Sequence, residues 1–230
     1  MKTTNTKTQV YNLVILDKSG SMMSIRRQAV DGYNETLGTI RAAQAKHQDT
    51  QEHFVSLAVF CGCGIEMIYD RTPISEVERL EPERYEPCCS TPLFDAVGST
   101  VQKLKASVRE VADAAVVVTV ITDGYENASQ EWKAPAVKAL VEECKKEGWA
   151  FSFIGASEDI LRVATTISIT NTLLWEKSEE GTEEMFSVTG EASSRFFDRM
   201  AAPCCANASI AERKKMRRQF SESFFKDEKE

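Results

Sequence analysis

Three short segments of the 230-residue chain carry oxygen donors in an arrangement that suits a hard cation. Asp17-Lys18-Ser19-Gly20-Ser21 follows one apolar run, Asp123-Gly124 follows another, and Ser90-Thr91-Pro92-Leu93 opens a helical pattern. Asp17, Ser19, Ser21, Thr91 and Asp123 together offer protein oxygens from three loops. Mg²⁺ takes an octahedron of oxygens at about 2.0–2.1 Å and commonly retains water, so a sixth position would stay open. Two carboxylates balance the 2+ charge formally. If they act largely through bridging water while neutral hydroxyls bind directly, the ion stays electrophilic and accepts a carboxylate from outside.

The elements that must present these loops are legible from apolar patterning. Val10 to Leu16 (VYNLVIL) reads as a strand buried on both faces. Val30, Tyr33, Leu37 and Ile40 recur at helical spacing, predicting an amphipathic helix from Arg26 to about Lys46. A strand is expected at Phe54 to Phe60. Cys61-Gly62-Cys63-Gly64 is a hairpin turn into a second short strand, Ile65 to Tyr69. Asp70 to Ser90 is charged, interrupted by proline and without period, so it reads as a long connection. A helix starts near Leu93 behind Pro92. Ala114 to Thr122, rich in β-branched residues, is the best candidate for a central strand.

Val137, Leu140, Val141 and Cys144 mark a further helix, stopped by Gly148. Strands follow at Trp149 to Ile154 and, more weakly, at Asn171 to Trp175. The last packed helix is expected from Glu179 to about Met200, with Glu176, Glu179, Glu180, Glu183 and Glu184 clustered around its N-terminus, where the helix dipole favours negative charge. Alternation of strands and helices predicts a Rossmann-like, doubly wound α/β fold. Its central sheet would be mostly parallel, with one antiparallel edge strand and helices on both faces. The working crevice of such sheets lies beyond the carboxyl ends of the strands, where the oxygen-bearing segments fall. The expected division is a polar segment 1–9, a domain over 10–207 and a charged amphipathic tail over 208–230.

Asp17-x-Ser19-x-Ser21, a later Thr in a Thr-Pro-Leu-x-Asp-Ala context (Thr91 to Ala96) and Thr-Asp-Gly (Thr122 to Gly124) occur in that order. They resemble the metal-ion-dependent adhesion site (MIDAS) of von Willebrand factor A domains, over roughly Val10 to Gly155. The resemblance implies that Ser19, Ser21 and Thr91 bind the ion directly and that Asp17 and Asp123 bind it directly or through water. It implies Mg²⁺, with Mn²⁺ as a substitute, and a bacterial-type, intracellular, single-domain protein working in a multiprotein assembly. The family commonly has glycines just before the Thr, where this chain has Cys88-Cys89-Ser90. If that loop needs positive φ, a β-carbon there costs about 1 kcal/mol or more.

Composition narrows the alternatives. The net charge of −7 supplies no global basic field for nucleic acid. No apolar run reaches the roughly 18 residues of a membrane span. With no signal-peptide pattern at the N-terminus, a cytoplasmic, soluble protein is expected. Seven cysteines are an odd count, which argues against a disulfide framework. Their spacings, Cys-x-Cys and Cys-Cys, match no standard zinc pairing, so reduced thiols are expected. Cys88 and Cys89 flank the proposed site, where oxidation would perturb it. His47 and His53 lie outside the crevice and read as solvated or structural. The basic tail reads as a helix packed on its own domain, with docking to a partner or membrane as the alternative.

The leading reading is therefore a non-catalytic module that captures a Glu or Asp of a partner protein through its metal. The competing reading is a Mg²⁺-dependent phosphatase of the haloacid-dehalogenase type with Asp17 as nucleophile. That chemistry needs a second Asp two residues on as general acid, and Ser19 stands there with a hydroxyl too weakly acidic for the task.

Overall fold

The computed structural model describes residues 7–225. The expected segment 1–9 therefore lies mostly outside the described residues, as does 226–230 of the expected tail. Six strands form one sheet in the order β3-β2-β1-β4-β5-β6. They are β1 (Thr8–Asp17), β2 (Gln51–Cys61), β3 (Gly64–Pro73), β4 (Ala114–Thr122), β5 (Ala150–Gly155) and β6 (Thr172–Leu174). All neighbouring pairs are parallel except β2 with β3, which is antiparallel and forms one edge. The doubly wound architecture expected from the sequence is the one observed.

Alternation along β1 divides the core between the two faces of the sheet. Leu13 and Ile15 join Val116, Val118 and Val120 of β4 on the face covered by α2 (Leu93–Val108), α3 (Ala134–Lys146) and α4 (Glu158–Thr166). Val14 and Leu16 point the other way, toward α1 (Arg26–Lys46) and α5 (Glu179–Ala201). Burying one such side chain contributes about 1.5–3 kcal/mol. A one-residue slip of β1 would exchange both sets and move Asp17 off the end of the sheet.

Several stretches differ from their sequence-based expectation. β2 starts at Gln51 and β3 continues to Pro73, both longer than predicted. Helix α4 fills a stretch that the apolar pattern left blank; its start is set by Ser157, whose side chain accepts from the Ile160 backbone N–H. The connection over 74–90 is ordered, with Ile74, Val77, Leu80 and Tyr85 buried. Asn34 of α1 holds it by a reciprocal pair: its amide donates to the Leu80 carbonyl at 3.0 Å and its oxygen accepts from the Leu80 N–H at 2.8 Å.

Beyond α5 the chain continues through α6 (Pro203–Ala206) into α7 (Ile210–Glu222). Helix α7 opens on a capping box between Ser209 and Glu212 and lies against the domain body. Arg217 is 1% exposed, and its Nη1 lies 2.8 Å from Asp113 Oδ1; Arg213 Nη1 reaches Asp113 Oδ2 at 2.8 Å. The Thr8 hydroxyl also donates to Asp113. Burial alone would raise the Asp113 carboxyl, but the Arg217 charge and the hydrogen bonds from Thr8 and Arg213 outweigh it and hold it below its ordinary value. Removing one partner from such a buried group costs about 3–5 kcal/mol. Phe224 packs on Phe196 of α5, ring centroids 5.9 Å apart. Among the described residues no helix is long and apolar enough to cross a membrane.

His47 lies against Asp198, its Nε2 at 2.7 Å from a carboxylate oxygen. His53 is buried in β2, with Nε2 3.0 Å from the Gln51 amide oxygen and no hydrogen-bond partner for Nδ1. Burial, with the charge of His47 adding, lowers its pKa from 6.5 to about 4. Between those values the unfolded chain binds a proton that the folded chain does not. Stability is therefore complete above about pH 6.5 and falls as the pH drops toward 4, by on the order of 3 kcal/mol. Asp17, whose carboxyl is raised to about 6, acts in the opposite sense over part of that window. The signal is thus the difference between wild type and His53→Leu in denaturant unfolding: wild type loses stability relative to the variant as the pH falls from 7 to 4. Parallel pH profiles for the two proteins would contradict this.

Candidate functional site

Strands β1 and β4 are parallel neighbours with Leu16 opposite Ile121, so Asp17 and the Thr122-Asp123 pair leave the sheet side by side. The chain passes from β1 to β2 on one side and returns to β4 on the other. This is the point at which strand order reverses, where open α/β sheets form a crevice.

Asp17 closes β1 with no exposed surface. Its Oδ1 accepts from the Ser19 N–H at 2.7 Å, and its Oδ2 accepts from the Thr122 hydroxyl at 2.6 Å. Burial raises its carboxyl to about 6, against the lowering effect of those bonds and with Asp123 raising it further. The Ser19 hydroxyl lies 3.1 Å from that of Ser21, which donates to Asp123 Oδ1 at 2.6 Å. Thr91 is buried just before α2. Asn127 grips it from two sides: the amide oxygen accepts from the Thr91 N–H at 2.9 Å, and the Asn127 N–H donates to the Thr91 carbonyl at 3.2 Å.

Gly124 shows where these oxygens converge. A β-carbon there would stand 2.7 Å from Thr91 Oγ1 and 3.4 Å from both Asp17 Oδ2 and Ser19 Oγ. One point beside the Gly124 backbone thus faces oxygens of Asp17, Ser19 and Thr91, from two of the three loops, and Ser21 and Asp123 join the group through their link to Ser19. An octahedron with bonds of 2.0–2.1 Å has edges of about 2.9 Å, and the separations of 2.6 and 3.1 Å among Ser19, Ser21 and Asp123 bracket that value. The donor set is all oxygen, as a hard cation requires. The structure brings together all five residues singled out in the sequence.

Several supporting residues were not singled out. Lys177 follows β6 and puts its ammonium against Asp123 Oδ2, while donating to the Ser21 carbonyl at 2.6 Å. Asp123 Oδ2 has no other hydrogen-bond partner, and its side chain is fully covered. The oxygens thus already draw a positive charge from their own chain. Asp95, in the first turn of α2, accepts from the N–H groups of Gln130, Glu131 and Trp132 at 2.7–3.0 Å. Glu126 accepts from the N–H of Phe94 at 2.8 Å and from the Ser129 hydroxyl at 2.7 Å. These bonds clasp the Thr91 loop to the Asp123 loop. Asp95 lies within the quoted Thr-Pro-Leu-x-Asp-Ala motif, which was the one local sign of this role; Asn127, Glu126 and Lys177 carry none.

On the outer side of the same loops the sulfurs of Cys61, Cys63, Cys88 and Cys89 come together. Cys89 has φ of 62°, the conformation that glycine adopts without strain.

No family model and no curated protein matches this chain in sequence. Solved structures do match in fold. The pilus adhesin SpaC from Lactobacillus rhamnosus GG aligns with a TM-score of 0.61 at 14% identity, over 84% of this chain and 31% of its own. A D319A mutant of the PilB minor pilin from Streptococcus sanguinis gives 0.59 at 10% identity, over 86% and 64%. Proximal thread matrix protein 1 from the mussel byssus, with a zinc-occupied MIDAS motif, gives 0.52 at 14% identity, over 82% and 48%. The likeness establishes the fold. This chain spans less than two thirds of each of these proteins, and at such identities nothing of their binding transfers by descent alone.

Two substitutions probe the point of convergence without removing a candidate ligand. Gly124→Ala places a methyl among Thr91, Asp17 and Ser19, so Mg²⁺ or Mn²⁺ affinity falls by at least about tenfold, or 1.4 kcal/mol, with the circular dichroism spectrum retained. Lys177→Met removes the competing ammonium and raises affinity in the same titration. Unchanged affinity in both variants would show that cations bind elsewhere.

Proposed function

We propose that this chain is a von Willebrand factor A-like, non-catalytic protein-binding module, working through a MIDAS built from Asp17, Ser19, Ser21, Thr91 and Asp123. The observation that carries this reading is that Asp17, Ser19 and Thr91 turn oxygens toward one point beside the Gly124 backbone, with Ser21 and Asp123 linked to Ser19, at the sheet's topological switch point. The fold shared with a byssus protein whose MIDAS holds zinc supports it. When bound, the ion, Mg²⁺ or Mn²⁺ by choice of donors, supplies a Lewis-acidic position for a Glu or Asp of a partner protein.

The residues of this chain have separable roles. Ser19, Ser21 and Thr91 present neutral oxygens. Thr122 and the Ser19 N–H fix the orientation of Asp17, and Asn127 fixes Thr91. The rim supplies the contact surface: Met23, Tyr125 and Leu174, each 54% exposed, all lie at the carboxyl end of the sheet. Exposed large apolar side chains gathered at one end of a domain suit a protein partner. Specificity would come from this rim, because one carboxylate–metal bond identifies no partner.

A catalytic role for Asp17 is not proposed. Ser19 stands where a phosphatase of the haloacid-dehalogenase type needs its acid, and the Ser19 N–H is committed to Asp17 itself. The odd cysteine count fits a cytoplasmic protein, and the resemblance to von Willebrand factor A domains is the ground for placing it in a multiprotein assembly.

Titration of Mg²⁺ and Mn²⁺ into wild type and the Asp17→Ala, Thr91→Ala and Asp123→Ala variants should show at least a tenfold loss in each variant, on the order of 1.4 kcal/mol or more. Partner capture on immobilised protein should be lost in EDTA, restored by Mg²⁺ and absent from Thr91→Ala. Capture indifferent to both chelation and Thr91→Ala would overturn the proposal.

A further inference from the structure

We propose that Cys61, Cys63, Cys88 and Cys89 form a second cation site, a four-thiolate tetrahedral centre for Zn²⁺, on the outer rim of the loop that carries Thr91. Cys61 and Cys63 flank the first glycine of the β2–β3 turn, and Cys88 and Cys89 precede the Ser90-Thr91 step. The sulfurs of Cys61, Cys63 and Cys88 all lie within 4.8 Å of one another. Cys88 Sγ is 3.4 Å from Cys61 Sγ and 3.8 Å from Cys63 Sγ, and Cys89 Sγ is 3.1 Å from Cys63 Sγ. Zinc–sulfur bonds of about 2.3 Å in a tetrahedron put the sulfurs about 3.8 Å apart. Three of the sulfurs therefore stand at the spacing of a loaded site, and Cys89, exposed and beside Cys63, is assigned as the fourth ligand.

The backbone around the sulfurs is built for this approach. The Gly62 N–H donates to the Ser90 carbonyl at 2.8 Å, pinning the hairpin turn to the Thr91 loop. A β-carbon on Gly62 would meet Ser90 Oγ at 2.4 Å and Cys89 Cβ at 3.1 Å, so only glycine permits the contact. The Cys88 N–H donates to the Lys18 carbonyl at 2.8 Å and the Gly20 N–H to the Cys89 carbonyl at 3.1 Å, tying the same loop to the Asp17 segment. Cys89 holds its side chain in a left-handed backbone that glycine would occupy at no cost. Strain of about 1–2 kcal/mol at a residue other than glycine is a pointer to function.

Four of the seven cysteines occupy these two loops, and Cys144, Cys204 and Cys205 lie elsewhere. The ligand type separates this site from the neighbouring oxygen cluster. Thiolates select zinc, and hydroxyls with carboxylates select magnesium or manganese. Ligation exchanges each thiol proton, released to solvent, for a sulfur–metal bond, with no change in oxidation state. With four protein ligands no position stays open, so the centre is structural. It staples the β2–β3 turn to the segment that positions Thr91.

The test uses the full chain, purified under reductant, stripped with chelator and titrated with Co²⁺ alone. One equivalent should give the thiolate-to-cobalt charge-transfer absorption and intense visible bands of a tetrahedral sulfur site, and Zn²⁺ should displace them. Cys63→Ser and Cys89→Ser alter exposed residues and should keep the wild-type circular dichroism. Each should weaken cobalt binding at least about tenfold and shift the bands. Cys204→Ser should leave the bands unchanged, and so should Thr91→Ala, which disables the oxygen site. Absence of the bands in wild type would overturn the proposal. So would their persistence in a Cys63→Ser, Cys89→Ser double variant, or disulfides joining these cysteines in protein kept under reductant.

Discussion

A carboxylate with no access to water, at the end of the central strand, is the constraint around which the carboxyl edge of this sheet is organised. Taking an ionised Asp17 out of water costs several kcal/mol unless donors replace the solvent. Its carboxyl, raised to about 6, records how far that cost remains uncompensated. The local chain is shaped by the need for donors. Ser19 turns its N–H back onto the Asp17 carboxylate and Thr122 arrives from β4 to donate its hydroxyl to it, while Tyr85 reaches from the far connection to the backbone carbonyl of the same residue. Parallel pairing of β1 with β4 makes the Thr122 contact possible, because it delivers the two strand ends at the same height.

That dependence explains what could and could not be read before the fold was known. The sheet was legible because burial on both faces leaves continuous apolar runs in β1 and β4, and the amphipathic helices were legible from their period. The oxygen donors were legible because each lies within a few residues of a strand end or helix start. Residues whose roles come from long-range pairing were not. Asn34, Asn127 and Lys177 each act on a segment distant in sequence, through contacts that no local pattern encodes. The stretch around Leu80 lacks the period of a helix or strand, since its order comes from capping by α1 rather than from its own backbone. The cysteines illustrate the same limit. Spacing along the chain argued against a common site, but two loops brought together by backbone hydrogen bonds place the four sulfurs side by side.

The Thr91 loop is where these influences meet. Asn127 and Asp95 fasten it to the Asp123 side, Gly62 fastens it to the β2–β3 turn, and Cys88 and Cys89 fasten it to the Asp17 segment. A hydroxyl held from three directions loses little further freedom when it takes up a ligand, which is the physical content of preorganisation. The strained backbone at Cys89 persists because those surrounding bonds over-determine it.

The antiparallel edge has a bearing on how copies of the protein meet one another. A sheet invites extension wherever a straight strand shows unpaired backbone. Strand β3 bends: its register with β2 shifts between Val55 and Leu57 and again between Leu57 and Ala58, and Arg71 adopts a left-handed φ of 52°. Asp70 and Arg71 place opposite charges there, and Lys103 of α2 reaches across to Asp70. The opposite edge, β6, is three residues long. The irregularity of one border and the shortness of the other make both poor templates for strand addition.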